Sequence, residues 1–425
     1  MKKNIILFEI IIALTSTALS FAETTYVNHD VSNWEVKSFK NNGSSYRPNY
    51  NETETKAILS ANKYATELFG KIVADDNFKN KNVVFSPASM QFALAMAANG
   101  TDDKNAYKEI TTALGMQDMP LNELNALYRK RLSELQFSDE FSKIGVSNAM
   151  LLKKGTYFGT EFLNNIDSYY KALVSNVDFN NDSTYSMIDD WAKKSTNGMI
   201  PSMGLQPDPD RVLVMLNALM FQSKWEDPFN PQKTKSGKFV TSLEKKKRVK
   251  KMNGTIARTE YADTEEYQLV SVRLYECKAN IILPKVGVSP KSILSNIDLD
   301  NIPYKNAPTG SAYYIKLSLP KIFTDTRIPL RDMLMKIGMK TPFSAEMNKI
   351  AKETKLGEIN QLTHLEIDEE GIKASAITED VIGYGRAPKP IYVEMDVNRP
   401  FIVTIQNEWK HEVLFIGLIN DPTEK

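Results

Sequence analysis

The chain has 425 residues, a formal net charge of +1 at pH 7 and a single cysteine, Cys277. The near balance of charge gives no overall field that would attract nucleic acid, and one cysteine cannot form an internal disulfide or a cysteine-based zinc cluster. Length alone would suggest two or three domains. Because no internal segment has the composition of a linker and 42% of the residues are hydrophobic, we expect one domain with one large core.

The amino terminus has the pattern of an export signal. Lys2 and Lys3 precede an apolar run over residues 5–21, and the tripeptide Ser-Phe-Ala at 20–22 puts small residues at both positions that signal peptidase reads. We therefore predict a signal peptide over residues 1–22 and a secreted or periplasmic protein.

Residues 23–56 are rich in Asn, Ser, Thr and Tyr and show little apolar periodicity. We expect a flexible leader there, followed by a domain over residues 57–425. After the signal, no segment approaches membrane-spanning length. A short export signal without disulfides fits a bacterial exported protein.

The first half of the chain shows mainly helical periodicity. We predict helices over residues 57–75, 89–98, 123–135, 161–173 and 186–195. The ten-residue apolar run at 212–221, interrupted only by Asn217, indicates a strand buried on both faces. The later predicted strands are 268–274, 279–283, 313–320, 400–406 and 412–419, with one further helix near 330–337. Helices followed mainly by strands favour a mixed α+β domain with large antiparallel or mixed sheets.

The residues that enzymes need are scarce. The three histidines are His29, His364 and His411, and the dipeptide His411-Glu412 does not continue as a zinc-protease helix because position 415 is Phe415. The chain has no Gly-x-Ser-x-Gly elbow, no phosphate-binding loop and no dinucleotide fingerprint. We expect no enzymatic activity, no metal and no cofactor, while a hydrolase built on a pair of carboxylates stays open as an alternative.

The segment at 369–390 combines two patterns. In its first half, Ile372, Ala374, Ala376 and Thr378 fall on one face of a strand, and Lys373, Ser375 and Glu379 fall on the other. A period of two is typical of a strand with one buried side. The second half contains two glycines, two prolines and an isolated arginine, the composition of an exposed loop. This combination indicates a loop that can insert into a sheet as a strand.

Six blocks of sequence carry a family resemblance: NVVFSPASM (82–90), WAKKSTNGMI (191–200), LNALMFQSKWEDPF (216–229), EEGIKASA (369–376), RPF (399–401) and LFIGLINDP (414–422). In this order and at about these spacings they resemble the serpins, the serine protease inhibitor family. The resemblance covers roughly residues 57–422 of the chain. It implies a monomer with the single-domain serpin fold, in which about three β-sheets are surrounded by eight or nine helices, and an exposed reactive loop at about 369–390.

The resemblance implies an irreversible suicide-substrate inhibitor of secreted serine proteases. In serpins the protease forms an acyl-enzyme with the loop, and the cleaved loop then inserts into the central sheet and traps the protease. The alternative is a serpin-fold protein that does not inhibit and serves in binding or as a chaperone. Inhibition of a cysteine protease through the same loop also stays open.

By the same resemblance, the loop begins with a hinge. Its residues are Glu369, Glu370, Gly371, Ile372, Ala374, Ala376 and Thr378, of which the last four face inward on insertion. None of these four is charged, as insertion into a sheet requires. Ile372 is bulkier than the usual threonine or serine, and Ile377 interrupts the usual run of small residues, so both favour slower insertion. Asp380 is the next inward position and is costly if buried unpaired.

The resemblance also implies two groups of residues near the place where the loop enters the sheet. The breach consists of Trp225, Lys321 and Glu369, with Glu369 paired to Lys321. The shutter consists of Ser86, Ser89, Asn217 and Gln361, and in the family its hydrogen bonds change as the sheet opens. A histidine usually stands where Gln361 does. From the residues alone, Ser86 also fits a helix cap, and the Glu369–Lys321 pair fits an ordinary surface ion pair.

The bond that a protease would cut falls among Tyr384, Gly385 and Arg386. Counting roughly seventeen residues from Glu369, as serpins imply, gives Gly385-Arg386, while counting back from the carboxy-terminal strands points later, so the loop is longer than in common members. Arg386 suits a trypsin-like protease and is the favoured bait. Tyr384 suits a chymotrypsin-like protease and is second.

A basic run at 245–251 contains Lys245, Lys246, Lys247, Arg248, Lys250 and Lys251. Its ordinary interpretation is the solvated edge of a strand. The alternative is a site for a polyanion, such as a glycosaminoglycan or a nucleic acid, that concentrates protease near the loop or tunes the rate.

Overall fold

The computed structural model describes residues 26–27, 49–257, 259–372, 388–407 and 412–424. These ranges contain eight α-helices: α1 Glu52–Ala74, α2 Pro87–Ala98, α3 Lys104–Ala113, α4 Leu121–Glu134, α5 Thr160–Asn165, α6 Asp182–Ser195, α7 Pro290–Asn296 and α8 Leu330–Lys336. Five of them, α1, α2, α4, α6 and α8, correspond to predicted helices, whereas α3 and α7 have no counterpart in the sequence prediction.

The same ranges contain nineteen strands: β1 Tyr26–Val27, β2 Val83–Phe85, β3 Phe137–Ser138, β4 Ser142–Lys153, β5 Phe158–Gly159, β6 Leu173–Val177, β7 Leu213–Lys224, β8 Lys235–Val240, β9 Lys246–Ala257, β10 Tyr261–Asp263, β11 Tyr267–Leu274, β12 Cys277–Pro284, β13 Ser311–Pro320, β14 Ile322–Pro329, β15 Glu358–Ile367, β16 Gly371–Ile372, β17 Lys389–Asp396, β18 Phe401–Asn407 and β19 Val413–Ile419. The predicted strands correspond to β7, β11, β12, β13, β18 and β19.

Three large sheets hold most of these strands. The seven-stranded main sheet has the order β14-β15-β7-β4-β3, with β6 paired to β4 and β16 paired to β7. A six-stranded sheet has the order β10-β11-β12-β18-β19-β2, and a four-stranded sheet has the order β17-β13-β9-β8. The mixture of helices with three large sheets confirms the predicted α+β class.

Helix α2 lies inside the protein, beneath the main sheet. Ser86 caps its amino terminus by accepting a hydrogen bond from the backbone of Ser89, and Pro87 occupies the first turn, where no backbone donor is needed. Every residue of α2 is buried, as expected for a helix whose sides are all apolar or packed. The helix contacts β7, β15 and β19, so it connects the main sheet to the six-stranded sheet.

Strand β7 is buried almost throughout, as its apolar run predicts. Its neighbour β4 is absent from the prediction, because the sequence SKIGVSNAMLLK mixes polar residues and a glycine into the strand pattern. The two strands pair antiparallel over residues 142–152 and 213–223. Helix α6 packs on the outer side of this pair, so β7 contacts protein on both faces.

The predicted helix at 161–173 is too long. Helix α5 ends at Asn165, a π-helical turn follows at Ile166–Tyr170, and Lys171 adopts a left-handed backbone with φ of 51°. A left-handed residue ends a helical segment, and β6 begins two residues later at Leu173. Leu173 is therefore the first residue of a strand.

The first helix begins inside the predicted leader. Asn51 accepts a hydrogen bond from the backbone of Glu54, and the Glu54 carboxylate accepts one from the backbone of Asn51, so a capping box sets the start of α1 at Glu52. Further upstream, β1 pairs with β5. Within the described part of the chain, no helix is both long enough and apolar enough to cross a membrane.

Candidate functional site: an opening in the main sheet

Strands β15 and β7 are neighbours in the main sheet but pair over only a short stretch. Their parallel register joins residues 358–361 to residues 214–217. Among the described residues, the edge of β7 that faces β15 has no strand partner over residues 218–222, while its other edge is paired with β4 there. We call this opening the slot. The backbone groups along an unpaired strand edge can accept a further strand.

The upper end of the slot holds β16. Gly371 pairs with Lys224 and Ile372 pairs with Ser223, both antiparallel to β7. The side chain of Ile372 is 3% exposed and belongs to the main core. Ile372 therefore lies on the inward face that the sequence analysis assigns to it. The other hinge residues assigned to this face, Ala374, Ala376 and Thr378, lie outside the described residues.

Gly371 stands where no larger residue fits. A Cβ atom at this position would lie 2.3 Å from the backbone oxygen of Ser223 and 2.7 Å from the Cα atom of Lys224, and the φ angle is 153°. Both contacts are with backbone, which cannot move aside as a side chain would. The hinge therefore approaches β7 closely because residue 371 is glycine.

A tight turn joins β15 to β16. The backbone N–H of Asp368 donates to the oxygen of Gly371 at 3.0 Å, and the Asp368 carboxylate accepts from the backbone of Glu370 at 2.9 Å. Since β15 runs parallel to β7 and β16 runs antiparallel to it, an extension of β16 would be antiparallel to both neighbours.

The three breach residues lie together at this turn. Lys321 Nζ donates to Glu369 Oε2 at 2.7 Å, and Thr234 Oγ1 donates to Glu369 Oε1 at 2.7 Å. Trp225, 1% exposed, donates from Nε1 to the backbone oxygen of Asp368 at 2.9 Å. The ion pair is only partly shielded, because the Lys321 side chain is 41% exposed.

Backbone contacts fix the same turn to the segment after β7. The N–H of Trp225 donates to the oxygen of Glu370 at 3.0 Å, and the N–H of Phe229 donates to the oxygen of Glu369 at 2.8 Å. Burial raises the pKa of the Glu369 carboxyl, but hydrogen bonds from Lys321 and Thr234 outweigh that effect, so its pKa lies below the ordinary value. Glu369 is therefore the charged partner that holds the top of the slot.

The four shutter residues form one buried polar cluster at the lower end of the slot. The backbone N–H of Ser86 donates to Gln361 Oε1 at 2.9 Å, and Gln361 Nε2 donates to the backbone oxygen of Ser86 at 2.8 Å. Ser89 Oγ donates to Asn217 Oδ1. Gln361 thus both donates and accepts within the cluster, as its amide permits.

The structure adds two residues that the sequence analysis does not assign. Asn217 Nδ2 donates to Asn148 Oδ1 on β4, which extends the shutter cluster across a third strand. Thr234 supplies the second donor to Glu369. Asn148 has the same signal that marks Asn217, an amide within an apolar run, but the unpredicted strand β4 concealed it. Nothing local marks Thr234, because its contact depends on tertiary structure.

The basic run lies on the first half of β9 and the residue before it. Residues 246–251 pair with β8 on one side, whereas the pairing of β9 with β13 begins only at Lys251, so among the described residues the other edge of 246–250 has no strand partner, as a solvated strand edge requires. Lys251 Nζ lies 2.5 Å from Asp396 Oδ1, and Lys247 Nζ lies 2.5 Å from Asp421 Oδ2. The exposed members are Lys245, Lys246, Arg248 and Lys250.

Some sequence predictions concern residues that the structure does not describe. The bait candidates Tyr384, Gly385 and Arg386 are among these residues, and so is the predicted signal peptide over residues 1–22. Within the described ranges, no three His, Cys, Asp or Glu side chains are grouped as a metal site requires.

Comparison with known proteins gives relatives that match most of the chain. Iripin-2 of Ixodes ricinus is 26% identical over 383 residues, which cover 87% of this chain and 94% of that protein. Neuroserpin of Gallus gallus is 26% identical over 389 residues, covering 87% and 91%. These proteins match along nearly their whole length, so the alignment is not confined to one motif.

Solved structures with a similar fold also match most of the chain. The native state of tengpin, a thermophilic serpin, superposes with a TM-score of 0.76 at 26% identity and covers 88% of this chain and 96% of that one. Thyroxine-binding globulin in complex with thyroxine superposes with a TM-score of 0.74 at 22% identity, covering 86% and 99%, and shares the fold. The family model described as serpin (serine protease inhibitor) matches residues 59–422, and the chain therefore belongs to the serpin family.

Proposed function

We propose that this serpin is an irreversible suicide-substrate inhibitor of secreted serine proteases and that the slot receives its cleaved reactive loop. The observation that carries the proposal is the pairing of Gly371 and Ile372 with β7 at the upper end of the slot. These two residues belong to the hinge, at the start of the segment assigned to the loop. A strand that already begins there has only to lengthen to fill the slot.

The protease performs the chemistry. Its serine attacks the bait carbonyl, an ester forms as the peptide C–N bond breaks, and the departing amine takes a proton. The loop is then free at one end and remains joined to the protein through the hinge. As the loop inserts, it carries the ester-linked protease with it and distorts the protease's oxyanion hole, so hydrolysis of the ester slows. Trapping succeeds when insertion is faster than hydrolysis.

The slot supplies the driving force. An inserted strand would pair with residues 218–222 of β7 on one side and with residues 362–367 of β15 on the other. Each backbone hydrogen bond contributes about 0.5–1.5 kcal/mol net, and a full strand makes many. The uncut protein lacks these hydrogen bonds and is therefore metastable. A kinetic barrier keeps it in this fold until the loop is cut.

The polar clusters at the two ends of the slot control its opening. A loop that continues past the slot must separate β7 from β15 where Asn217 faces Gln361, so the shutter hydrogen bonds then have to exchange partners. At the upper end, Glu369 and Lys321 form a weak and partly exposed latch, which suits a contact that must open quickly. We assign a gating role to both sets.

The bait is Arg386 for a trypsin-like protease, with Tyr384 second for a chymotrypsin-like one. Gly385 offers neither pocket a side chain. The inhibitor contributes bait and stored conformational free energy, and the catalytic groups all belong to the protease. On this proposal the protein is not an enzyme.

The sequence supports an exported protein of bacterial origin that acts as a monomer. Residues 1–22 direct export and are removed, residues 23–56 precede the domain, and residues 57–425 contain the inhibitor. Secreted or periplasmic proteases are then the accessible targets. The four exposed basic side chains of β9 and its preceding turn offer a polyanion a contact surface, reduced from six by the pairing of Lys247 and Lys251.

The second candidate is a non-inhibitory binding or chaperone-like serpin. Ile372 favours this candidate, because it places a large side chain at the first inward position of the hinge. Ile377, five residues later, is also bulky. Thyroxine-binding globulin, which is similar in fold, is a serpin crystallised with thyroxine.

Incubation with trypsin and with chymotrypsin, followed by denaturing gel electrophoresis and mass spectrometry, tests the proposal. An inhibitor gives a band at the summed mass that survives boiling in detergent, and the released fragment begins at Ala387 if Arg386 is the bait. Cleavage of the chain with full protease activity remaining would favour the non-inhibitory candidate.

A further inference from the structure

The four-stranded sheet carries two neighbouring tyrosines near its edge. Its edge strand is β17, which begins three residues after Arg386. Tyr392 of β17 is the register partner of Tyr314 of β13, and their ring centroids lie 5.8 Å apart. Tyr392 is 58% exposed. Tyr314 is half-buried beside it, so the two rings together form an aromatic surface that the domain leaves partly uncovered.

A lysine lies over one of the tyrosine rings. Two residues further along the same face, Lys316 lies opposite Glu394, with Nζ 3.4 Å from Oε1, and the same Nζ lies 5.6 Å from the centroid of the Tyr392 ring. The Tyr392 ring therefore has a cation–π contact before any partner binds. We call Tyr314, Tyr392 and Lys316 the tyrosine face.

A hollow adjoins the tyrosine face toward the carboxy-terminal ends of β13 and β17. Its volume is about 380 Å³, and its lining includes Lys233, Asn253, Thr255, Ser318 and Asp396. Two rigid aromatic rings next to a polar hollow form the arrangement that protein interfaces favour, because tyrosine combines a large apolar surface with a hydrogen-bonding tip.

We propose that the tyrosine face is a docking surface for the target protease while its active site holds the reactive loop. The inference rests on the proposed function, because it names a contact made by the same protease. The chain length supports this occupant: six residues separate Arg386 from Tyr392, which places them at most about 22 Å apart. A globular protease of about 230 residues has a radius of gyration of about 17 Å, so a protease bound at Arg386 is large enough to reach the tyrosine face.

The partner contacts the face of the sheet and does not add a strand to its edge. Pro388 and Pro390 stand at the start of β17, and proline lacks the N–H that an added strand requires. Side chains, and not backbone groups, therefore provide the recognition. The tyrosine face then determines which proteases associate quickly, and Arg386 determines which of them can cut.

The double variant Tyr314→Ala/Tyr392→Ala tests the docking surface. The measurement is the second-order rate constant for reaction of the full-length protein with trypsin and with chymotrypsin, read as complex formation and as loop cleavage. We expect at least a tenfold decrease with the protease that reacts faster, because tyrosine is enriched among the few residues that carry most of the binding energy of an interface. The fraction of loop cleavage that ends in complex should not change, because insertion does not involve this sheet.

Two further variants serve as controls. Tyr157→Ala removes a tyrosine of similar exposure, 55%, which follows β4 at the end of the main sheet opposite the hinge, and should leave the rate constant unchanged. Tyr314→Phe/Tyr392→Phe keeps the rings and should retain most of the wild-type rate. An unchanged rate constant for a folded double alanine variant would overturn the docking surface, as would a wild-type protein with which neither protease reacts. Wild-type cleavage without trapping would overturn the inhibitor proposal alone, because the cleavage rate still reports docking.

Discussion

Asn217 of β7 and Gln361 of β15 are the last register partners before the main sheet opens, and each is held from beneath by a serine at the start of α2. The two strands that flank the slot are thus joined to one helix terminus at the point where they would have to separate. A strand that fills the slot and continues between β7 and β15 must disturb this cluster. The predictions below test the parts of that arrangement one at a time.

Gln361→Glu should destabilise the protein in a pH-dependent way. The ionised carboxylate cannot donate to the backbone oxygen of Ser86, which would leave a buried acceptor unpaired at a cost of about 1–3 kcal/mol. Burial favours the protonated form, which restores the donor, so the loss should be greatest at pH 8 and should shrink toward pH 5. Thermal unfolding at both pH values measures it.

The exposed Gln232→Glu variant controls for the added charge. It should unfold at the wild-type temperature throughout this range. If the two variants behaved alike, the bidentate contact between Gln361 and Ser86 would not stabilise the closed sheet.

Gly371→Ala should convert inhibition into substrate behaviour. The new Cβ atom would lie 2.3 Å from the backbone oxygen of Ser223, so β16 could not pair with β7 and insertion would slow. More loop would then be cleaved per protease trapped, which titration of protease activity measures as a rise in the stoichiometry of inhibition of severalfold or more.

Gly155→Ala is the matched control for this change. Gly155 also has a positive φ, 88°, but a Cβ atom there meets nothing within 4 Å. Its variant bears the backbone strain without the clash. An equal rise in stoichiometry for both variants would show that the close approach at Gly371 is irrelevant to insertion.

Glu369→Gln should cost less than about 1 kcal/mol of stability at pH 7, because its partner Lys321 is partly exposed. The folded-state pKa of Glu369 is lowered from its ordinary value of 4.5, so the ion pair contributes fully above pH 4.5 and its contribution is lost as the pH falls through the folded value. The difference in thermal unfolding between the wild type and the variant should therefore be full at pH 7 and should decrease as the pH falls below 4.5. A difference that does not decrease with falling pH would mean that charge is not what the variant removes.

The sequence predicts the strongly periodic elements and misses those whose signal is tertiary. The buried strand β7 follows from its apolar run, and the structure brings Trp225, Lys321 and Glu369 together at one turn. The sequence prediction misses strand β4 because Ser147 and Asn148 interrupt its apolar residues, although both edges of the strand are paired. The slot itself has no local signature, since it is a pairing that β7 and β15 do not make.

Arg386→Ala should prevent stable complex formation with trypsin and leave reaction with chymotrypsin at Tyr384. The trypsin pocket needs a positively charged side chain to meet its aspartate, and alanine provides none. Densitometry of the detergent-stable band with each protease measures the effect. The lysine variant Arg386→Lys keeps the charge and should retain the trypsin complex; loss of the complex in both variants, or in neither, would exclude Arg386 as the bait.

The melting temperature of the protein after cleavage of its loop tests most directly whether the slot accepts a strand. The loop is cut between residues 380 and 388 by a protease that is not trapped, and the position is verified by mass spectrometry; a sample cut within residues 28–48 is the control. An inserted strand with about ten new backbone hydrogen bonds at about 1 kcal/mol each should raise the melting temperature by about 10 °C or more. An unchanged melting temperature after verified cleavage of the loop would contradict insertion and with it the proposed inhibitory mechanism.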